Sequence, residues 1–152
     1  MGPSRLIIKN PVICAISGYA VAGGLELSLL ADMRVVEEDA VFGVFCRRWG
    51  VPLIDGGTIR LQAIVGRSGW FLKKNHKGIG IAKQLITFPE LCLNTDRQSC
   101  YYSAYEAPSF QDAMSQEFNA GSRVISQETT AGAAKFSKGS GRHDSFKDHS
   151  KL

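Results

Sequence analysis

The feature that most constrains the fold is a change of period between residues 12 and 33. Residues 12–17 (V-I-C-A-I-S) form a short, apolar, partly β-branched run behind Pro11, the pattern of a buried strand. Gly18, Gly23 and Gly24 then punctuate the chain, and residues 25–33 (L-E-L-S-L-L-A-D-M) combine helix formers with apolar residues at helical spacing. Strand, glycine turn and helix in that order predict an α/β unit. A second extended segment at 34–36, an acidic turn at Glu37-Glu38-Asp39 and a third short strand at 40–44 continue the alternation.

Beyond Pro52, residues 54–58 lead into I-R-L-Q-A-I-V, a predicted amphipathic helix whose first turn Asp55 can cap and which Gly66 ends. Composition then turns basic, Gly-containing and aperiodic, which marks the one internal boundary. The expected organisation is a core over 5–68, a divergent linker or splice junction over 69–80, a helical region over 81–138 and a polar tail over 139–152. Within the helical region, helices are predicted over 81–87, 89–104, 109–126 and 128–138, with Pro89 and Pro108 at helix starts.

Length and composition narrow the functional classes. A chain of 152 residues with 44% hydrophobic content can build one core, which excludes a disordered class. The charge of +4 comes from 18 basic against 14 acidic residues, and the late basic cluster lacks the interleaved aromatics of a base-stacking surface, so nucleic-acid binding is not expected. Cys14, Cys46, Cys92 and Cys100 are widely spaced without a C-x-x-C pair and read as reduced thiols of an intracellular protein. His76, His143 and His149 have no ligand-spaced partners, so no metal is expected. Nor is a membrane segment or signal peptide, for want of a long apolar run. Ser150-Lys151-Leu152 reads as a peroxisomal address, with a cytoplasmic or mitochondrial location as the alternative.

The chemistry concentrates in Ser17-Gly18-Tyr19-Ala20-Val21-Ala22-Gly23-Gly24-Leu25-Glu26. A glycine pair at a helix start lets backbone approach a ligand and presents N–H groups that, with the helix dipole, can hold negative charge on a carbonyl oxygen. The same glycines also suit a tight turn with close helix packing, and both readings stand on the residues alone.

The run N-P-V-I-C-A-I-S-G-Y-A-V-A-G-G-L-E-L-S-L-L-A-D-M-R-V-V, then A-V-F-G, then D-G-G-T-I-R-L-Q-A-I-V-G-R-S, resembles the crotonase superfamily of enoyl-CoA hydratases and isomerases over residues 10–68. A weaker resemblance resumes from about Ala82 to Phe136, where it is similar to helices used for trimer contacts. The resemblance implies a partial crotonase fold: short strands packed with helices, then a C-terminal helical region. It implies an acyl-CoA thioester as substrate with no separate cofactor, coenzyme A being part of the substrate. It further implies that Gly23, flanked by Ala22 and Gly24, donates a backbone N–H to the thioester oxygen of an enolate-like intermediate, and that Glu26 is a general acid/base. Without the resemblance, Glu26 reads as a first-turn glutamate that is solvated or complements the dipole.

Three departures from the family pattern shape the expectation. The family's F-G-x-P-E stretch is Phe42-Gly43-Val44-Phe45-Cys46 here, which puts Cys46 in place of the second glutamate used for water addition. Asp55 is then a candidate substitute base, against its simpler role as helix cap. The loop of type A-F-x-A-G-x-D that would supply the second oxyanion donor has no counterpart upstream of residue 10. The segment after Gly66-Arg67-Ser68 also diverges. Phe136 and Lys138 are the nearest match to an aromatic and basic pair that holds the CoA tail, packing and surface charge being their other reading. Two functions are therefore carried forward. One is an acyl-CoA enzyme of hydratase/isomerase type, expected as a trimer-type homo-oligomer. The other is an inactive truncated isoform that binds acyl-CoA weakly or associates with full-length subunits.

Overall fold

The computed structural model describes residues 2–66 and 85–137, within which short strands alternate with helices and a helical region follows. Four strands, β1 (Ile13–Ile16), β2 (Tyr19–Val21), β3 (Met33–Val36) and β4 (Val41–Gly43), form two parallel pairs, β1 with β3 and β2 with β4. Helix α1 (Gly23–Ser28) is the crossover between them. Ile13 lies opposite Met33, and Tyr19 opposite Val41. The fold is α/β, as the alternation of periods predicts, and it is consistent with the partial crotonase fold that the resemblance implies.

Two local expectations change. The helix expected over 25–33 starts earlier and stops at Ser28, because its carbonyls are taken over from outside. Arg34 Nε donates to Ser28 O at 3.0 Å and its Nη2 to Ala31 O at 2.8 Å, while Asp32 accepts the Val12 N–H at 2.7 Å. Met33 is thereby released into β3. The other change is β2: the stretch expected as a glycine turn contains a strand, because Gly18 O accepts the Val41 N–H at 2.8 Å and draws residues 19–21 alongside β4. A 3-10 helix, Phe45–Trp49, carries the chain away from β4 and ends at Gly50, whose φ of 68° suits a residue without Cβ.

Helix α2 (Gly57–Val65) ends at Gly66 as predicted. It packs on α3 (Glu90–Tyr105) and α4 (Phe110–Val124) around Ile59, Ala113 and Met114. Pro89 stands at the start of α3, where its missing N–H costs nothing. Ser109 caps α4 through its hydroxyl, which accepts the Asp112 N–H at 3.1 Å. Helices expected separately over 109–126 and 128–138 are continuous, since a π-helical turn, Ile125–Thr129, joins α4 to α5 (Thr130–Ser137). Gly132 brings α5 against the 3-10 helix: a Cβ there would collide with the Trp49 carbonyl. The linker at 69–80, most of the helix at 81–87 and the tail at 139–152 lie outside the described residues.

Helix starts are closed from a distance. Glu128, in the π-helical turn, accepts the N–H groups of Leu91 and Cys92 at 3.2 and 2.8 Å at the head of α3.

Candidate functional site

The glycine turn is built from the β2–β4 pair. Ala22 N–H donates to Gly43 O at 3.0 Å, and Ala22 then takes φ 50° and ψ −123°, the one positive φ at a non-glycine among the described residues. That backbone is strained for an alanine, and it turns the strand abruptly into α1. Gly23 is the first residue of α1, so its N–H has no acceptor within the helix. A Cβ built on Gly24 would meet nothing within 4 Å, so the ground beside the turn is open.

Glu26 sits one turn into α1 and is only 3% exposed. Its Oε1 accepts two backbone N–H groups, from Asp55 at 2.9 Å and Gly57 at 3.0 Å, at the head of α2. Burial raises its carboxyl from 4.5 to about 7; the N–H bonds pull it down, and the nearby Glu117 and Asp55 charges push it up. The reading of Glu26 as a solvated first-turn residue is overturned, because its carboxylate lies inside and complements the N-terminus of α2 rather than of α1.

Asp55 is buried and beside Glu26, but it is not the helix cap. The N-cap position of α2 belongs to Gly56, whose φ of 95° requires glycine, and carboxylates from other helices supply the caps. Glu117, on α4, accepts the Gly56 N–H at 2.6 Å, the Thr58 N–H at 2.9 Å and the Thr58 hydroxyl at 2.6 Å. Sequence reasoning missed this residue. The available signal was its place on the buried stripe of α4 with Ala113, Met114, Gly121 and Val124, where a charge must have partners.

Two arginines brace the same turn. Arg5 Nη1 donates to Ile54 O at 2.6 Å, and Arg60 Nη1 donates to Ser4 O at 2.6 Å and Asp55 O at 3.2 Å. Cys46 lies in the 3-10 helix, and burial, with Asp96 nearby, pushes its thiol up to about 11. Asp96 instead binds Arg47 Nε at 2.6 Å and the Leu53 N–H at 3.1 Å, a part-buried pair that fixes the segment leading to residue 55. Phe136 belongs to α5, and Lys138 lies outside the described residues.

The parallel strand pairs, the strained glycine turn and the helices behind it define a partial α/β fold of crotonase type. Residues 6–69 match the family model described as enoyl-CoA hydratase/isomerase, which supports membership of the crotonase superfamily over this segment. It is 48% identical over 63 residues to a probable mitochondrial enoyl-CoA hydratase 2 of Arabidopsis thaliana, covering 40% of this chain and 20% of that protein. It is 35% identical over 80 residues to a short-chain-enoyl-CoA hydratase of Clostridium acetobutylicum, covering 53% and 26%. A carnitinyl-CoA dehydratase of Proteus mirabilis is 30% identical over 130 residues, covering 80% of this chain and 49% of that protein. The chain thus spans between about a fifth and a half of the length of these curated relatives.

Proposed function

We propose that this chain binds an acyl-CoA thioester, with Glu26 moving a proton at the acyl group and the Gly23 N–H holding the thioester oxygen. The observation that carries the reading is the state of Glu26: a carboxyl raised to about 7 inside the fold is close to half-ionised near neutrality, so it can both take and return a proton. As base it would remove a proton from the carbon next to the thioester. The resulting enolate oxygen would accept from Gly23, and the proton would return from Glu26 to a carbon of the acyl group. This one-carboxylate isomerisation fits better than water addition, because Cys46 holds a neutral thiol where a second carboxylate is needed.

The test is turnover of a short enoyl-CoA by the wild type and by Glu26→Gln, alongside a thermal melt with and without ligand. An acyl-CoA must raise the melting midpoint if it binds the native chain. Loss of turnover in a folded Glu26→Gln supports the assignment, and undiminished turnover refutes it. Contacts of Phe136 and Lys138 with the CoA tail, trimer-type assembly and peroxisomal import through Ser150-Lys151-Leu152 belong to the same proposal. Import is checked by the location of a fluorescent protein ending in residues 139–152.

The second reading is a non-catalytic chain that associates with full-length family subunits. It is favoured by the apolar side chains left in water on the β1–β3 pair, where Ile13, Met33 and Val35 are 61%, 55% and 64% exposed. Co-elution with a full-length homologue in size-exclusion chromatography supports it. Elution as a free monomer refutes it.

A further inference from the structure

Four successive N–H groups at the head of α2 alternate between two buried carboxylates that arrive from different helices. Asp55 and Gly57 donate to Glu26 of α1, while Gly56 and Thr58 donate to Glu117 of α4. The turn cannot shift toward one acid without leaving the other. Its room to move is small in any case, since a Cβ on Gly57 would meet Glu26 Cγ and Leu53 Cδ1, each at 2.9 Å.

We infer that Glu117 is a positioning residue: by clamping Gly56 and Thr58 it fixes the turn whose Asp55 and Gly57 N–H groups orient the Glu26 carboxylate. The inference rests on the proposed role of Glu26 for its catalytic meaning, but the clamp is measurable without turnover. Glu117 is 1% exposed and makes three hydrogen bonds, all to this turn. Among the described residues, the charged and titratable groups that act on Glu26 are Glu117 from α4, Asp55 from the turn, Arg60 from α2 and Cys46 from the 3-10 helix, while Arg5 of the N-terminal 3-10 turn (Gly2–Arg5) braces the turn through Ile54 O.

A positioning role and a mere charge effect have opposite signs. If Glu117 acted only as a neighbouring negative charge, neutralising it would lower the titration midpoint of Glu26. If it positions the turn, Glu117→Gln faces Gly56 or Thr58 with an amide that donates where an acceptor is needed. The turn then loosens, Glu26 loses the N–H bonds that hold its ionised form, and its midpoint rises.

The experiment is a carbon-13 NMR titration of the Glu26 carboxyl in the full chain, wild type against Glu117→Gln, with melting curves confirming that both fold. A higher midpoint in the variant supports the inference, and an unchanged or lower midpoint overturns it. Should the variant not fold, the wild type decides alone: the Asp55 and Gly57 amide shifts must register the ionisation of Glu117 as well as that of Glu26. Amides blind to the Glu117 step overturn the clamp. In the acyl-CoA assay, Glu117→Gln should lower kcat about tenfold with KM unchanged and move the acidic limb of the pH profile upward. A wild type without turnover would remove the proposed function and leave the NMR result standing.

Discussion

Replacing Glu26 by Gln should make the protein more stable above neutral pH while leaving it unchanged in acid. Both backbone donors, Asp55 and Gly57, use the same oxygen, Oε1, and a glutamine keeps a carbonyl oxygen at that place. What glutamine lacks is the proton that the buried acid must give up. The sign follows from the raised pKa: between 4.5 and about 7 the folded state holds a proton that the unfolded chain has already released. Wild-type stability from this group is therefore complete below 4.5, declines as pH rises, and is gone above about 7. At about 1.4 kcal/mol for each pH unit, that interval amounts to ~3 kcal/mol, a large part of the stability of a small domain. The assay is urea unfolding of both proteins at intervals from pH 4 to pH 9, read as the difference between their stabilities. The reasoning predicts curves that coincide in acid and separate through the interval, with the variant ahead. A flat difference, or a variant less stable at pH 8, would refute it. A variant that is more stable and yet inactive is the expected signature of a buried acid kept for chemistry.

Two further outcomes follow from the neighbouring contacts. Asp96→Ala should destabilise the protein by about 2–4 kcal/mol in urea melts, because it strands the Leu53 N–H and leaves Arg47 unpaired; the 26% exposure of Arg47 tempers the loss. A loss under 1 kcal/mol would show that the pair is replaceable by water. Cys46, with its thiol pushed up to about 11 from 9.0, should react with iodoacetamide about a hundredfold more slowly than an ordinary cysteine at pH 8, as followed by mass spectrometry. Rapid labelling of the folded protein would contradict the burial that sets this value.

The sequence by itself determined the local alphabet of the fold. The apolar run at 12–17, the glycines at 18, 23 and 24, the prolines before α3 and α4 and the glycine after α2 each act within a few residues, so strand, turn and helix starts were legible from them. The resemblance over residues 10–68 likewise depends on a short ordered motif, and the family match over 6–69 agrees with it. Glu26 was recognisable as a candidate because the resemblance places a family acid/base one helical turn after the Gly23 position.

Tertiary structure alone decided what those residues touch. The stretch at 19–21 became a strand only because Gly18 O meets the Val41 N–H, and the first helix stopped at Ser28 only because Arg34 takes its terminal carbonyls. Asp55 looked like a cap because it precedes a helix. The cap was instead provided by Glu26 and Glu117, separated by 91 residues and brought to one turn by packing. The physical reason is that a buried N–H must find an acceptor wherever the fold puts one, and a buried carboxylate must find donors. Sequence order carries no record of which of the two distant groups will meet.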